Sequence, residues 1–241
     1  MTKSITKQMT HNNLVIAAVG DSYIHKFWVE ASKFKNFDLC LIYYGNVRDK
    51  YYSECDIYIE KKGYKYPLIY DSLLNVETLN CYDYYWLPDD DIKASTADIN
   101  LMFEMMKKNN FYIAQPSLKS GCSHTWPHTT TQPNNVARET KFVEIMCPLF
   151  SYQSLHSFVD YFNHTKTGWG LDYLWSKKTL EMGKKLGIYD IVSVEHMRAM
   201  GKGDLYTNLK KDHVNYKQEL ADFMKKYNLT KIQQKDKKVN Y

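Results

Sequence analysis

Short apolar runs that end in polar turns alternate with longer amphipathic stretches along the first half of the chain. Continuous short apolar runs are typical of buried strands, whereas apolar residues spaced three and four apart indicate helices. The runs predict strands over residues 14–19, 38–44, 56–60, 84–87 and 111–115. The helical spacing predicts helices over residues 24–34, 66–79 and 95–108. This alternation predicts an α/β fold with a mostly parallel central sheet flanked by helices.

The second half of the chain is less regular. Residues 116–140 are rich in Pro, Thr, Ser, His and Asn, and so long a polar stretch predicts a functional loop, such as a lid or an acceptor-binding loop. Later elements are predicted as helices over residues 155–162 and 171–186 and a last strand over 191–194. We expect one domain over residues 14–215, a flexible N-terminus over 1–13, and a basic tail over 216–241 that is helical or flexible.

Composition narrows the class of protein. The 241 residues are 44% hydrophobic, which is enough for a core, and much of the formal net charge of +5 comes from terminal lysines. We therefore expect no nucleic-acid partner, although the basic tail could contact an anionic membrane surface. No apolar run approaches the roughly 18 residues of a membrane span, and the five cysteines form no CxxC pair. A reduced, cytoplasmic setting is expected.

Three consecutive aspartates, Asp89, Asp90 and Asp91, follow the strand predicted over residues 84–87. Open α/β sheets place their ligands at this end of a strand. Carboxylates this close repel each other unless a cation or hydrogen bonds compensate. Magnesium or manganese suits oxygen ligands and typically takes one or two carboxylates together with substrate phosphates. The alternative is a solvated turn or a helix N-cap, where aspartate is also favoured.

Candidate catalytic and sugar-binding residues come from the second half of the chain. The segment GWGLD contains Trp169, Gly170 and Asp172 and combines a turn, an aromatic surface and a carboxylate at a helix start. Asp172 could remove a proton from an acceptor hydroxyl, or it could cap the helix while Trp169 is buried. Glu144 lies in an apolar stretch, so it should be paired, hydrogen-bonded or bound to a substrate hydroxyl. His196 follows the last predicted strand and could ligate a metal, or be a satisfied or exposed histidine.

These segments, in this order, resemble a GT-A glycosyltransferase domain. WLPDDDI is followed by a helix and IAQPS, then by FVEIMCPLFS, by TGWGLDYLW and by a strand that ends in EH. The pattern is similar to a group related to the plant proteins labelled lysine-ketoglutarate-reductase trans-splicing-like, and to small GT-A domains of large DNA viruses. The resemblance covers about residues 14–203. It implies a single GT-A, Rossmann-like domain.

The resemblance also implies a division of roles. Asp89 and Asp91 match the DxD positions, so Asp91 would ligate Mn²⁺ (or Mg²⁺) and Asp89 would contact the ribose or the metal shell. His196 matches a further metal ligand, and Asp172 matches the general base of inverting members. The residues expected to bind the nucleotide sugar are Asp21, Lys62, Lys65 and Asp90. The residues expected to contact the acceptor or the transferred sugar are Glu144, Trp169 and Gly170.

The function expected on this basis is metal-dependent transfer of a sugar from a nucleoside-diphosphate sugar to a glycan or other hydroxyl acceptor, with inversion. Uridine diphosphate is the commonest nucleotide among similar enzymes. One alternative is a magnesium-dependent phosphohydrolase or nucleotidyltransferase that uses the same aspartates. A haloacid-dehalogenase-like phosphatase would need DxDx(T/V), whereas Ile92 and Lys93 follow the triplet. The other alternative is a non-catalytic carbohydrate-binding module, which the 15% aromatic content favours.

Overall fold

The computed structural model of the chain describes residues 3–6, 9–22, 24–123, 126–199, 204–230 and 237–239. Its strands are β1 (Lys3–Thr6), β2 (Asn13–Val19), β3 (Asp38–Tyr43), β4 (Ile57–Glu60), β5 (Tyr84–Trp86), β6 (Ile92–Lys93), β7 (Phe111–Leu118), β8 (Ala137–Thr140), β9 (Leu149–Ser151), β10 (Lys185–His196) and β11 (Lys237–Val239). Its α-helices are α1 (His25–Trp28), α2 (Lys65–Asn75), α3 (Thr96–Lys108), α4 (Tyr152–Phe158), α5 (Leu171–Glu181), α6 (Asp204–Lys211) and α7 (Tyr216–Lys226).

The strands form one large sheet in the order β1-β4-β3-β2-β5-β9-β7-β10-β8-β11, and β6 pairs with β10 beside this path. Pairing is parallel among β4, β3, β2 and β5 and between β7 and β10, and antiparallel elsewhere. The predicted α/β class with a central sheet is confirmed. The sheet is mixed and not mostly parallel, because β9 runs against both β5 and β7 and because β8 and the terminal strands run against their neighbours.

The two faces of the sheet are both covered. Successive side chains of a strand point to opposite faces. Leu14 and Ile16 accordingly belong to the core that contains α2, α4 and α5, whereas Val15 and Ala17 belong to the core that contains α3. Burial on both faces explains why β2 is a continuous apolar run. Among the described residues, no helix has both the length and the apolar character needed to cross a membrane.

Strand β6 brings the end of β10 next to the residues that follow β5. It begins directly after Asp91 and pairs antiparallel with β10, so that Ile92 lies opposite His196. The main chain extends this contact, because the Met197 N–H donates to the Asp91 carbonyl at 2.9 Å. Two residues that are far apart in the sequence, Asp91 and His196, are thereby fixed side by side.

The helix predicted over residues 24–34 is wrong in its extent. Helix α1 ends at Trp28, and a separate 3-10 helix follows at Ser32–Phe34. The Thr96 hydroxyl donates to the Trp28 carbonyl at 2.9 Å and accepts from the Ala31 N–H at 3.1 Å. A continuous helix would use both main-chain groups in its own hydrogen bonds. A side chain from α3 therefore replaces part of the predicted helix.

The helix predicted over residues 171–186 is also too long. Helix α5 ends at Glu181, and the strand predicted over 191–194 is only part of the longer β10. Gly183 adopts φ 66°, in the left-handed region that glycine tolerates, and its N–H donates to the Leu180 carbonyl at 3.0 Å. This arrangement is a common helix ending, and it turns the chain into β10.

The polar loop expected over residues 116–140 is partly sheet. Its first residues continue β7 and its last residues form β8, while residues 124–125 lie outside the described residues. A buried ion pair joins Arg138 Nε to Asp190 Oδ2 at 2.9 Å, and Arg138 Nη2 donates to the Thr130 carbonyl at 2.9 Å. The end of the loop is therefore fixed to β8 and β10.

Parts of both terminal segments pair with or pack on the sheet domain. Strand β1, within the N-terminus expected to be flexible, pairs antiparallel with β4. Helix α7, within the predicted tail, buries Phe223, and β11 pairs with β8. The described residues of the tail are thus in contact with the domain that precedes them.

Candidate functional site

A cleft of about 570 Å³ opens beside the C-terminal ends of β2, β5 and β10. Its walls come from the three aspartates, the start of α2, the turn before α5, the end of β10, and helices α6 and α7. The cleft is lined by nine of the predicted site residues: Lys65, Asp89, Asp90, Asp91, Glu144, Trp169, Gly170, Asp172 and His196. The two predicted residues that do not line it are Asp21 and Lys62. The fold thus brings together segments that are far apart in the sequence.

Asp91 and His196 face each other in this cleft. His196 Nε2 lies 3.2 Å from Asp91 Oδ2, and His196 Nδ1 lies 3.0 Å from the Ser123 carbonyl. A carbonyl only accepts, so Nδ1 carries a proton, and in the neutral ring the lone pair of Nε2 points at a carboxylate oxygen. A proton or a cation must lie between two such acceptors. Burial lowers the pKa of His196, but the hydrogen bond and charge of Asp91 outweigh it and raise the pKa.

The second oxygen of Asp91 is buried and makes no hydrogen bond to the described residues. A buried carboxylate oxygen without a partner is costly unless it meets a cation. The residue types present, one carboxylate and one imidazole held by a main-chain carbonyl, suit a divalent ion whose remaining ligands are substrate phosphates and water.

Asp89, which is expected to contact the ribose or the metal shell, bonds Lys65 and not the pair of Asp91 and His196. Within the described part of the chain, no three His, Cys, Asp or Glu side chains converge as a metal-binding group. Asp91 and His196 are adjacent, whereas Asp89 accepts from Lys65 Nζ at 2.7 Å. Lys65 also donates to the main-chain carbonyls of Ile145 and Met146 at 3.0 and 3.2 Å. Lys65 therefore links the start of α2 to the aspartates.

The carboxyl of Asp89 is 39% exposed, and its exposed surface faces the open cleft. Partial burial against the cleft walls raises the pKa of Asp89 to about 6. Lys65 opposes this rise, and the charge of Asp91 adds to it. Water in the open cleft moderates the effect. Asp89 is thus a carboxyl at the cleft surface, within reach of a ligand.

Asp90 is committed to contacts within the protein. Its Oδ2 accepts from the Gly20 N–H at 3.0 Å and from the Tyr44 hydroxyl at 3.3 Å, and its Oδ1 accepts from Arg198 Nη1 at 3.0 Å. Burial raises the pKa of Asp90, while Arg198 opposes the rise. Asp90 therefore joins the ends of β2, β3 and β10 around the cleft.

Asp172 lies in the first turn of α5, two residues after the N-cap, Gly170. Its Oδ1 accepts from the Tyr173 N–H at 3.0 Å, and the side chain is buried yet lines the cleft. Burial raises the pKa of Asp172 from 3.8 to about 7, although main-chain hydrogen bonds oppose the rise. A carboxyl with this pKa can accept a proton near neutral pH. The alternative that Asp172 is the N-cap is wrong, because Gly170 is the N-cap and Asp172 accepts from Tyr173 within the first turn.

The remaining acceptor candidates lie around Asp172. Trp169 packs edge-to-face on Tyr216 of α7, with ring centroids 4.9 Å apart, and is half-buried. Glu144 is only 4% exposed, and its main-chain N–H donates to Gln115 Oε1 at 2.7 Å. These positions place an aromatic ring and a second carboxylate in the same cleft as Asp172.

Asp21 and Lys62 instead bond the end of β3 and the loop that follows it. Asp21 accepts from the Tyr43 hydroxyl at 2.9 Å and from Lys50 Nζ at 2.7 Å. Lys62 donates to the Tyr44 carbonyl at 2.7 Å. Asp21 follows β2 and Lys62 follows β4, so both lie beside the cleft, against the end of β3 and the loop that Tyr44 begins.

The sequence analysis missed several cleft residues. Arg198 is the most informative, because it bonds Asp90 and its Nη1 lies 3.9 Å from Asp91 Oδ2. Its position two residues after His196 was a usable signal, since a strand end that carries a candidate metal ligand can also carry a cation that binds phosphate. Trp126 and Tyr206 also line the cleft, but they reach it from a loop and from α6, and nothing in their local sequence indicates that.

The comparison with solved structures gives the class of fold. The chain has a GT-A-like fold: it is similar to the crystal structure of GalNAc-T7 with UDP, GalNAc and Mn²⁺, with a TM-score of 0.58 and 8% sequence identity. The match covers 91% of this chain and 55% of that one, so the chain spans about half the length of that structure. By sequence, the chain belongs to the family described as protein of unknown function DUF707, whose profile matches residues 2–239. No curated protein matches the sequence.

Proposed function

We propose that the chain is a metal-dependent glycosyltransferase, which transfers a sugar from a nucleoside-diphosphate sugar to an acceptor hydroxyl. The observation that carries this proposal is the pair of Asp91 and His196. Asp91 Oδ1 is buried without a partner among the described residues, and His196 Nε2 lies 3.2 Å from Asp91 Oδ2, so the pair offers a cation carboxylate oxygens and an imidazole nitrogen in the cleft of a GT-A-like fold. The similar solved structure, of GalNAc-T7, contains Mn²⁺ and UDP. We also propose that the chain is related to the plant and viral GT-A groups named above.

Asp91 and His196 would hold the cation. An imidazole ligand favours Mn²⁺ over Mg²⁺. When bound, the divalent ion supplies Lewis-acid stabilisation of the charge that develops on the leaving diphosphate. The Ser123 carbonyl orients His196 for this task by fixing the proton on Nδ1.

Two cations of the chain complement the phosphates. Lys65 and Arg198 each contact one of the three aspartates and line the cleft. A diphosphate that enters the cleft can replace these carboxylates as the partner of Lys65 and Arg198. Arg198 can donate two N–H groups to it. UDP is the nucleotide proposed, with Asp21, after β2, assigned to its nucleoside and Lys62, after β4, assigned to its diphosphate.

Asp172 is the proposed general base. Its carboxylate takes the proton of the acceptor hydroxyl while the hydroxyl oxygen attacks the anomeric carbon from the face opposite the diphosphate. The bond between that carbon and the diphosphate oxygen breaks, and the product sugar has inverted configuration. A pKa of about 7 suits this role at neutral pH. Trp169, Gly170 and Glu144 would contact the sugar or the acceptor.

The cellular setting is part of the proposal. All five cysteines are free in the structure, which supports a reducing, cytoplasmic environment. The acceptor is proposed to be a glycan or another hydroxyl compound, and the basic C-terminal residues could contact an anionic membrane surface.

Calorimetric titration of a panel of nucleoside diphosphates, with Mn²⁺ and with EDTA, tests the proposal. We expect one diphosphate to bind only with Mn²⁺, and Asp91→Ala to abolish binding. Asp222→Ala, on the surface of α7, is the matched control that should bind normally. If the folded wild type binds no member of the panel, the glycosyltransferase proposal fails. If the protein binds and releases inorganic phosphate from the diphosphate, the phosphohydrolase alternative replaces it.

A further inference from the structure

One carboxylate of α7 holds the turn that leads into α5. Glu219 Oε1 accepts from the Lys166 N–H at 2.8 Å. Glu219 Oε2 accepts from the Thr167 N–H at 3.0 Å, from the Thr167 hydroxyl at 2.6 Å and from the Thr165 hydroxyl at 3.1 Å. Both oxygens of a single side chain are thus engaged by three consecutive residues. Hydrogen bonds to an ionised acceptor are the strong kind.

The same turn carries the reactive part of the cleft. Lys166, Thr167, Trp169, Gly170 and Asp172 all line it. The Trp169 N–H donates to the Thr167 hydroxyl at 3.0 Å, so the hydroxyl that donates to Glu219 also fixes the next part of the turn. These hydrogen bonds therefore connect Glu219, through Thr167, to the residues proposed to contact the sugar.

The C-terminal segment makes two further contacts with the walls of the cleft. A Cβ at Gly170 would lie 2.6 Å from Phe223 Cδ1, so the Phe223 ring packs directly on the N-cap of α5. The connection between α6 and α7 contributes the second contact, because the Tyr64 hydroxyl donates to Asp212 Oδ2 at 2.7 Å. Tyr64 lines the cleft on the side of α2. The C-terminal helices thus contact both walls.

We infer that Glu219 is a positioning residue for the transfer reaction: it fixes the turn over residues 165–170 and thereby the placement of Trp169 and Asp172. The inference rests on the proposed function. Transfer slows steeply when the base is misplaced by about 1 Å. The turn contains two glycines, Gly168 and Gly170, and therefore has little stiffness of its own. Glu219 itself does not line the cleft, and both of its carboxylate oxygens are engaged by the turn, so its contribution is to geometry and not to chemistry.

The test compares Glu219→Gln with Asp222→Asn in the full chain. Both variants replace one carboxylate of α7 by an amide, but Asp222 accepts from Gln218 on the surface of the helix and not from the turn. Hydrogen–deuterium exchange reports on the turn without any ligand. We expect the main-chain amides of Lys166 and Thr167 to exchange about tenfold faster or more in Glu219→Gln and at the wild-type rate in the control.

Turnover is measured with the sugar nucleotide whose diphosphate binds in calorimetry. We expect kcat of Glu219→Gln to fall about tenfold or more with KM within about twofold, because Lys65, Asp91 and His196 are untouched. Glu219→Asp keeps the charge on a shorter side chain and should recover part of both effects. It also serves if the glutamine variant does not fold.

The outcomes separate the two proposals. Unchanged exchange in Glu219→Gln, or faster exchange with unchanged kcat, overturns the positioning role. Failure of the wild type to bind any nucleoside diphosphate with Mn²⁺ overturns the proposed function. The positioning role for transfer then fails with it, whatever the exchange rates of the turn are.

Discussion

At Asp172, a buried carboxyl is expected to control how transfer depends on pH. Its pKa is raised to about 7, so below that pH the group is protonated and cannot accept the acceptor's proton. We expect kcat/KM to rise about tenfold per pH unit below pH 7 and to level off above it. Asp172→Asn should lower kcat by roughly 100-fold or more with diphosphate binding intact, and Asp222→Asn should keep the wild-type profile. A flat wild-type profile between pH 5.5 and 8 would exclude Asp172 as the base.

The raised pKa of Asp172 should also make the folded protein less stable as pH rises, whereas it makes kcat/KM increase. The folded protein binds the Asp172 proton more tightly than the unfolded chain, whose pKa is near 3.8. Stability is therefore lost as pH rises from about 4 to about 7, and the full penalty is present above pH 7. Asparagine keeps the acceptor for the Tyr173 N–H and carries no charge. We expect Asp172→Asn to have a higher Tm than the wild type at pH 8 and a smaller difference at pH 5. A lower Tm at pH 8 would contradict the burial penalty.

Single residues show which part of the site the sequence could reveal. The aspartate triplet was recognisable because it follows a buried strand, and His196 because it ends one. Their pairing is set by β6, a strand of two residues that is too short to leave a pattern. Glu219 acts through tertiary contacts, which no local spacing encodes.

At the scale of elements, the turn into α5 depends on glycine. Gly170 adopts φ 98°, and a Cβ there would meet Phe223 of α7 at 2.6 Å. Gly183, at the other end of α5, adopts φ 66°, and a Cβ there meets no described atom within 4 Å. We expect Gly183→Ala to cost about 1–2 kcal/mol for the left-handed backbone alone. Gly170→Ala should cost more, because Phe223 must also move, and should lower turnover. Urea unfolding measures the free energy of unfolding of both variants. Equal losses would mean that Phe223 and α7 move aside without cost.

Helices and strands were predictable where the apolar spacing and the residues at the ends of the element indicate the same structure. Helix α3 begins as expected, because Ser95 and Asp98 form a capping box. The helix over residues 24–34 failed although its apolar spacing was correct, since Thr96 takes its main-chain bonds. Strand β9 escaped a directional prediction, because a sequence pattern does not say whether a short strand runs with or against its neighbour.

For the whole molecule, the cleft is a joint product of distant segments. The parallel strands deliver the aspartates, β10 delivers His196 and Arg198, and the C-terminal helices close the opposite wall. Helix α7 looked like a basic tail because its lysines are exposed while Phe223 and Glu219 face the domain. Ligand binding should therefore stabilise the chain as a unit, including its C-terminal segment.

Thermal unfolding of the full chain tests that coupling. A ligand at about 100 times its Kd adds about 2.7 kcal/mol, which corresponds to a rise in Tm of roughly 5–10 °C for a protein of this size. We expect this rise with UDP and Mn²⁺ together and little change with either alone, because in the proposed site the cation is held jointly by Asp91, His196 and the phosphate oxygens. EDTA and Asp91→Ala should each abolish the rise, while Asp222→Ala should retain it. A rise with UDP that persists in EDTA would mean that Lys65 and Arg198 hold the diphosphate without a metal, and would remove the cation from the proposed site.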